Sequence, residues 1–313
     1  MQENTLRNLL NAVWSFPLTR IFTFVVILFL VIILSEPIIV ALIGKTGTSA
    51  PLAVFLWTEV WHFLISFGLL AIFVKTGERA KLSDFGVSMK NAVPELLSGV
   101  VVGTLLVAGV VAVMFLLGVY RPTAHTGGSD LFLAAGTLFF AAVTEELIFR
   151  SYALNVLEKH WGTIAAVIVS SVAFGFAHML NDAGGSTVQS KFLFCTFLSL
   201  EAGVSLAACY VFTRRLWMPI GAHWMWNFFE GPVFGTHVSG ADFGQSLVTA
   251  KMEGPMLLTG GKFGPEGSVI CLLLGTVAGV VLLHLSKKRN NLISYEAAQN
   301  RLKNTTESDQ IAA

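Results

Sequence analysis

The chain has 313 residues, 54% of them hydrophobic and only 12% charged, with a formal net charge of +1 and a mean hydropathy of +0.72. Soluble domains carry roughly a quarter of their residues charged, so this composition excludes an ordinary soluble domain and points to a membrane protein. A balanced charge supplies no field for nucleic acid, and no nucleic-acid partner is expected.

In chain order, residues 1–16 alternate Leu, Val and Trp with Asn, Arg and Ser at helical spacing. That pattern predicts an interfacial helix within an N-terminal segment, residues 1–19. Residues 20–43 form a first span, with Pro37 as a kink that neighbouring helices must accommodate. Residues 51–74 form a second span, followed by a polar stretch to Pro94, and 95–119 a third. Tyr120 to Asp130 reads as a turn-rich loop, with Pro122, Gly127 and Gly128. Residues 131–158, 162–180 and 188–213 are the fourth, fifth and sixth spans, and 216–230 is a shorter seventh. Glycines and prolines between 231 and 267 predict an extended outer loop, and residues 268–286 form the last span. The polar tail 287–313 is expected to fray.

The fold class expected is all-α: a polytopic bundle of about eight transmembrane helices, with residues 20–286 as one domain. No internal repeat argues for an inverted-repeat transporter. Basic residues fall in alternate loops: Lys75, Arg79, Lys81 and Lys90, then Arg214 and Arg215, then Lys287, Lys288 and Arg289. These loops are expected on the cytoplasmic side, with both termini. Cys195, Cys209 and Cys271 lie inside apolar stretches without metal-ligand spacing and read as small buried hydrophobes.

Ionisable groups within apolar helices are costly and usually functional. Three short patterns hold the prominent ones: Glu145-Glu146-Leu147-Ile148-Phe149-Arg150, Phe174 with His178, and His223 with Asn227. Glu146 and Arg150, four apart, share a helix face and can pair. Glu145 lies about 100° away around the helix and is free to face a cavity, where desolvation would tune it towards a general base. Phe174 sits one turn before His178 and can set its ring angle. His223 and Asn227, also four apart, can aim two hydrogen-bond donors at one point, as an oxyanion hole requires. Each pattern alone also fits a hydrogen-bonded core. Their order on three separate spans is far more specific.

Glu59 and His62, three apart in the second span, and Glu201 in the sixth are secondary candidates for a polar cavity. The chain contains neither H-E-x-x-H nor G-x-S-G.

Across the motif core, residues 130–232, the chain resembles the CPBP family of intramembrane proteases. That group includes the CAAX prenyl endopeptidases and the bacteriocin-processing and immunity proteins. The resemblance rests on Glu145-Glu146 with Arg150, Phe174 with His178, and His223 with Asn227, supported by the approach Leu216-Trp217-Met218-Pro219-Ile220-Gly221. It implies an endopeptidase in which Glu145 and His178 activate water, His223 and Asn227 stabilise the oxyanion, and Glu146 and Arg150 hold the fourth helix. It leaves open whether zinc is used, with Glu145, His178 and His223 as its ligands, or no cofactor at all. The expected substrate is a membrane-associated peptide or protein, and the expected setting a bacterial cytoplasmic membrane. The alternative is a non-enzymatic protein, for immunity, transport or sensing, that binds a ligand with the same cluster.

Overall fold

The computed structural model describes residues 14–45, 51–125, 127, 130–181, 186–244 and 246–312, without the side chains of 305–312. The expected interfacial helix of residues 1–16 lies outside them except for its last three residues. Apolar runs with few charges give long helices here: α1 (Pro17–Lys45), α2 (Pro51–Ile72) and α3 (Ala92–Leu116). α4 (Leu131–Glu146) continues through a π-helical stretch, Leu147–Leu154, into α5 (Asn155–Ala177). α6 (Val188–Leu198) passes through a π turn, Ser199–Gly203, into α7 (Val204–Thr213). α8 (Trp217–Phe228), α9 (Val269–Lys288) and α10 (Tyr295–Ala312) are the other helices of ten or more residues among those described.

Among the described residues, six helices are long and apolar enough to cross a membrane, which makes this an integral membrane protein. The expected count of about eight is not reached by that measure, for two reasons. The stretch Leu131–Leu180 is one 50-residue helix, yet Gly162 within it has φ 76° and ψ 171°. Straight, it would hold Glu145 and His178 roughly 50 Å apart at 1.5 Å per residue. Both line one cavity, so the chain doubles back at Gly162. The second reason is α8, whose 12 residues are too few to span a bilayer.

α8 carries the third motif, and its position is set by glycines. α3 packs against it more extensively than any other pair of helices meets. A Cβ at Gly99 would stand 2.1 Å from the Met218 carbonyl oxygen, and one at Gly103 would stand 2.2 Å from that of Ala222. A Cβ at Gly221 would stand 2.3 Å from the Leu96 carbonyl oxygen on the other side. Small residues four apart let two backbones touch, as packing in lipid favours. α1, by contrast, exposes Phe22, Ile33, Leu34 and Ile38, the surface that lipid covers.

All three basic loops meet at one end of the bundle. Leu216 N donates to the Gly86 carbonyl at 3.2 Å, Trp217 Nε1 to the Ser88 carbonyl at 2.6 Å, and Asn291 Nδ2 to the Val211 carbonyl at 3.1 Å. Ion pairs knit this end: Arg20 and Lys159 each reach Glu78 at 3.1 Å, Arg214 reaches Glu158 at 2.6 Å, and Arg215 pairs with Glu95. The three cysteines are free and buried, as their apolar surroundings predict.

Two expectations are corrected. The tail does not fray from residue 287: α10 docks on α5, with Ala298 buried and Gln299 Nε2 donating to the His160 carbonyl at 2.7 Å. Its composition is polar, but backbone bonds such as Thr163 N to the Ile293 carbonyl, 2.9 Å, hold the connection down. The turn-rich loop after α3 begins as a strand, β1 (Tyr120–His125), paired antiparallel with β2 (Val248–Met252). Pro122 masks the strand pattern, and the register shifts between Pro122 and Ala124.

Candidate functional site

Glu145, His178, His223 and Asn227 all line a single cavity of about 410 Å³. They reach it from different elements: the end of α4, the turn that closes α5, and one face of α8. The ring of His223 is held between the two adjacent glutamates. Its Nδ1 lies 2.9 Å from Glu146 Oε1, and its Nε2 lies 3.8 Å from Glu145 Oε2. The first is a hydrogen bond. The second is too long for one, and Glu145 Oε2 has no partner among the described residues. A molecule bridging that gap would touch both groups.

Glu146 does more than the sequence suggests. Its Oε1 also accepts from Arg150 Nη1 at 2.9 Å, with the carboxylate 0% and the guanidinium 1% exposed. Arg150 turns its other nitrogen, Nη2, to the carbonyls of Ala202 and Gly203, at 3.4 and 3.3 Å. The i, i+4 pair expected from spacing is present, and it extends to a third member, the imidazole of His223. Because the carboxylate can only accept from the ring, Nδ1 is the donor and Nε2 is the nitrogen presented to Glu145.

Phe174 organises the aromatic side of the site. Its ring lies 5.0 Å from that of His178 and 5.9 Å from that of His223, and Arg150 Cζ sits 4.2 Å above it. His178 Nδ1 lies 2.9 Å from the Phe174 carbonyl oxygen. A carbonyl accepts only, so Nδ1 carries the proton and Nε2 is left available. The turn His178–Leu180 is 3₁₀, so His178 stands at the end of its helix, where Asn181 also lines the cavity.

The secondary candidates separate. Glu201 and Glu59 both line the cavity, whereas His62 does not; its Nδ1 lies 3.7 Å from Glu59 Oε1. Two contributions went unread in the sequence. The outer loop roofs the site with Val238, Ser239, Gly240 and Ala241, and Phe243 stacks on Phe55 of α2 at 6.2 Å. Glu266, from the same loop, lines the cavity as well. Its neighbours, Gly264-Pro265 and Gly267, signal tight turns.

Among the described residues, no three His, Cys, Asp or Glu side chains are arranged to hold a metal ion. One nitrogen of His223 is committed to Glu146, and one of His178 to a carbonyl. Both rings keep Nε2 free, the arrangement a zinc-bound histidine also shows.

Residues 127–229 match the family model described as Type II CAAX prenyl endopeptidase Rce1-like. The match contains all three motifs and about a third of the chain. No curated protein and no solved structure matches.

Proposed function

From a chain whose residues 127–229 carry the Rce1-like CAAX prenyl endopeptidase match, we propose that this membrane protein hydrolyses a peptide bond of a membrane-associated peptide or protein, with Glu145 as general base. The observation that carries the reading is the common cavity: Glu145, His178, His223 and Asn227 line it together, with Glu145 and His223 3.8 Å apart and unbonded.

In this reading a water lies between Glu145 Oε2 and the imidazole edge. Glu145 takes one of its protons as the water oxygen bonds to the substrate carbonyl carbon. His178, through Nε2, orients that water. The carbonyl oxygen gains the negative charge, and His223 and Asn227 donate to it. For His223 to donate through Nε2 while Nδ1 donates to Glu146, the ring must be doubly protonated, and the flanking carboxylates favour that form electrostatically. The intermediate then collapses, the C–N bond breaks, and Glu145 returns its proton to the leaving amine. Low dielectric around the site strengthens each of these interactions.

Lining by Val238, Ser239 and Gly240 of the outer loop supports a site nearer the end opposite the basic loops. If the basic loops are cytoplasmic, the substrate is a secreted peptide or the outer part of a membrane protein. Comparative proteomics of membranes containing wild type or Glu145→Ala tests the proposal. At least one polypeptide should be shorter in the wild-type sample. Identical length profiles, with an altered uptake or ligand-binding phenotype, would transfer the cluster to the non-enzymatic alternative.

A further inference from the structure

Four carboxylic acids line the cavity, Glu59, Glu145, Glu201 and Glu266, and among the described residues no lysine or arginine does. The proposed chemistry uses one of the four. Glu59 has His62 beside it. The remaining two, Glu201 and Glu266, are both buried on the cavity wall. Glu201 sits in the π turn between α6 and α7 and is 1% exposed. Its Oε1 has no hydrogen-bond partner among the described residues. Glu266, 3% exposed, is held rigidly: its Oε2 accepts from Ser239 N at 3.0 Å and Ser239 Oγ at 2.6 Å.

A third acid stands behind them. Glu230, fully buried in the π turn Phe229–Val233, accepts from Trp226 Nε1 at 2.9 Å and from Glu266 N at 3.2 Å. Arg150, the nearest buried cation of the motif core, is committed to Glu146 and the carbonyls of Ala202 and Gly203. So three acids are packed together without a cation, and the one with an unused oxygen is on the cavity wall. Burying an ionised carboxylate without a cation is unfavourable, which keeps such groups protonated until a cation is supplied. A cation arriving through the cavity relieves that cost, and a neutral group of the same shape does not. Among the described residues no three acids are placed to hold a metal ion, and the cavity volume of about 410 Å³ accommodates an arginine or lysine side chain.

We propose that Glu201, supported by Glu266, forms a specificity subsite that binds the guanidinium or ammonium of a basic side chain near the scissile bond. This rests on the peptidase reading in taking that cation from a substrate, and it adds a class of sequence that the site selects. Glu201 is here a binding group, not a participant in bond cleavage.

The test is a binding measurement, independent of turnover. N-acetyl-arginine N-methylamide and its neutral isostere N-acetyl-citrulline N-methylamide are titrated calorimetrically into the full chain in lipid nanodiscs. The arginine probe should bind at least about tenfold tighter than the citrulline probe. That preference should persist in Glu145→Gln, disappear in Glu201→Gln and weaken in Glu266→Gln. Equal binding of the two probes by wild type, or no binding of the arginine probe at millimolar concentration, would overturn the subsite without needing any variant. A preference lost in Glu145→Gln yet kept in Glu201→Gln would overturn it too, by placing the cation at the proposed base. Failure of the peptidase reading would look different, since the proteomic comparison would be flat while the charge preference remained.

Discussion

Glu146 is the residue on which the site's geometry turns. It joins Arg150 and His223 in one buried hydrogen-bonded chain, so removing either charge leaves the other unpaired in a dry interior. Breaking one side of such a pair costs about 3–5 kcal/mol. Arg150→Ala should therefore lower the unfolding temperature of the detergent-solubilised protein strongly. The double change Glu146→Gln with Arg150→Met, which removes both charges, should lose less stability than Arg150→Ala alone while still abolishing cleavage, because His223 loses its anchor. Thermal unfolding and cleavage measured on the same preparations check both halves. The sequence disclosed the Glu146–Arg150 pair through its spacing of four. It could not disclose the contact to His223, which is 77 residues away and depends on how α8 is seated.

The elements deliver these residues through close backbone contact. Gly99 and Gly103 bring α3 onto α8, and α8 holds His223 and Asn227. Gly103→Val should push the helices apart, reducing cleavage and stability together. Gly109→Ala, on the same helix but with nothing within 4 Å of its added Cβ, should be silent in both assays. The long helices were legible because unbroken apolar runs of bilayer length have few other solutions. The breaks were not. The reversal at Gly162 follows from a positive φ, stabilised by the Ile293–Tyr295 segment packed against it, and hydropathy carries no trace of that contact. β1 was hidden for a related reason: its partner, β2, lies more than a hundred residues later. The π turns at Leu147–Leu154, Ser199–Gly203 and Phe229–Val233 also escape a periodicity of 3.6. Such irregularities often occur at functional sites, and here each sits beside a buried acid.

For the whole molecule, the two ends of the bundle differ in character. One gathers the basic loops and their ion pairs. The other carries the β1–β2 pair and the loop that roofs the cavity. If the excess of Lys and Arg at the first end follows the positive-inside rule, that end faces the cytoplasm. A fluorescent-protein reporter fused after residue 313 should then be bright, whereas alkaline phosphatase at the same position should be inactive. The opposite pattern would invert the chain and put the roofing loop on the cytoplasmic side. The expected sidedness rests on the charge clusters, since the rule depends on which loop holds a charge. Of the four acids lining the cavity only Glu266 was not readable, because it reaches the cavity from a glycine-rich loop with no helical register to place it.

The central claim is that Glu145 activates water in a cavity shared with His178, His223 and Asn227. The most direct measurement is turnover of the polypeptide identified by proteomics, using purified protein in nanodiscs, wild type against Glu145→Gln. The variant keeps the side-chain shape and should retain wild-type substrate affinity and unfolding temperature while losing at least about a hundredfold in kcat, the range expected when a general base is removed. A Glu145→Gln protein that cleaves at the wild-type rate would contradict the account.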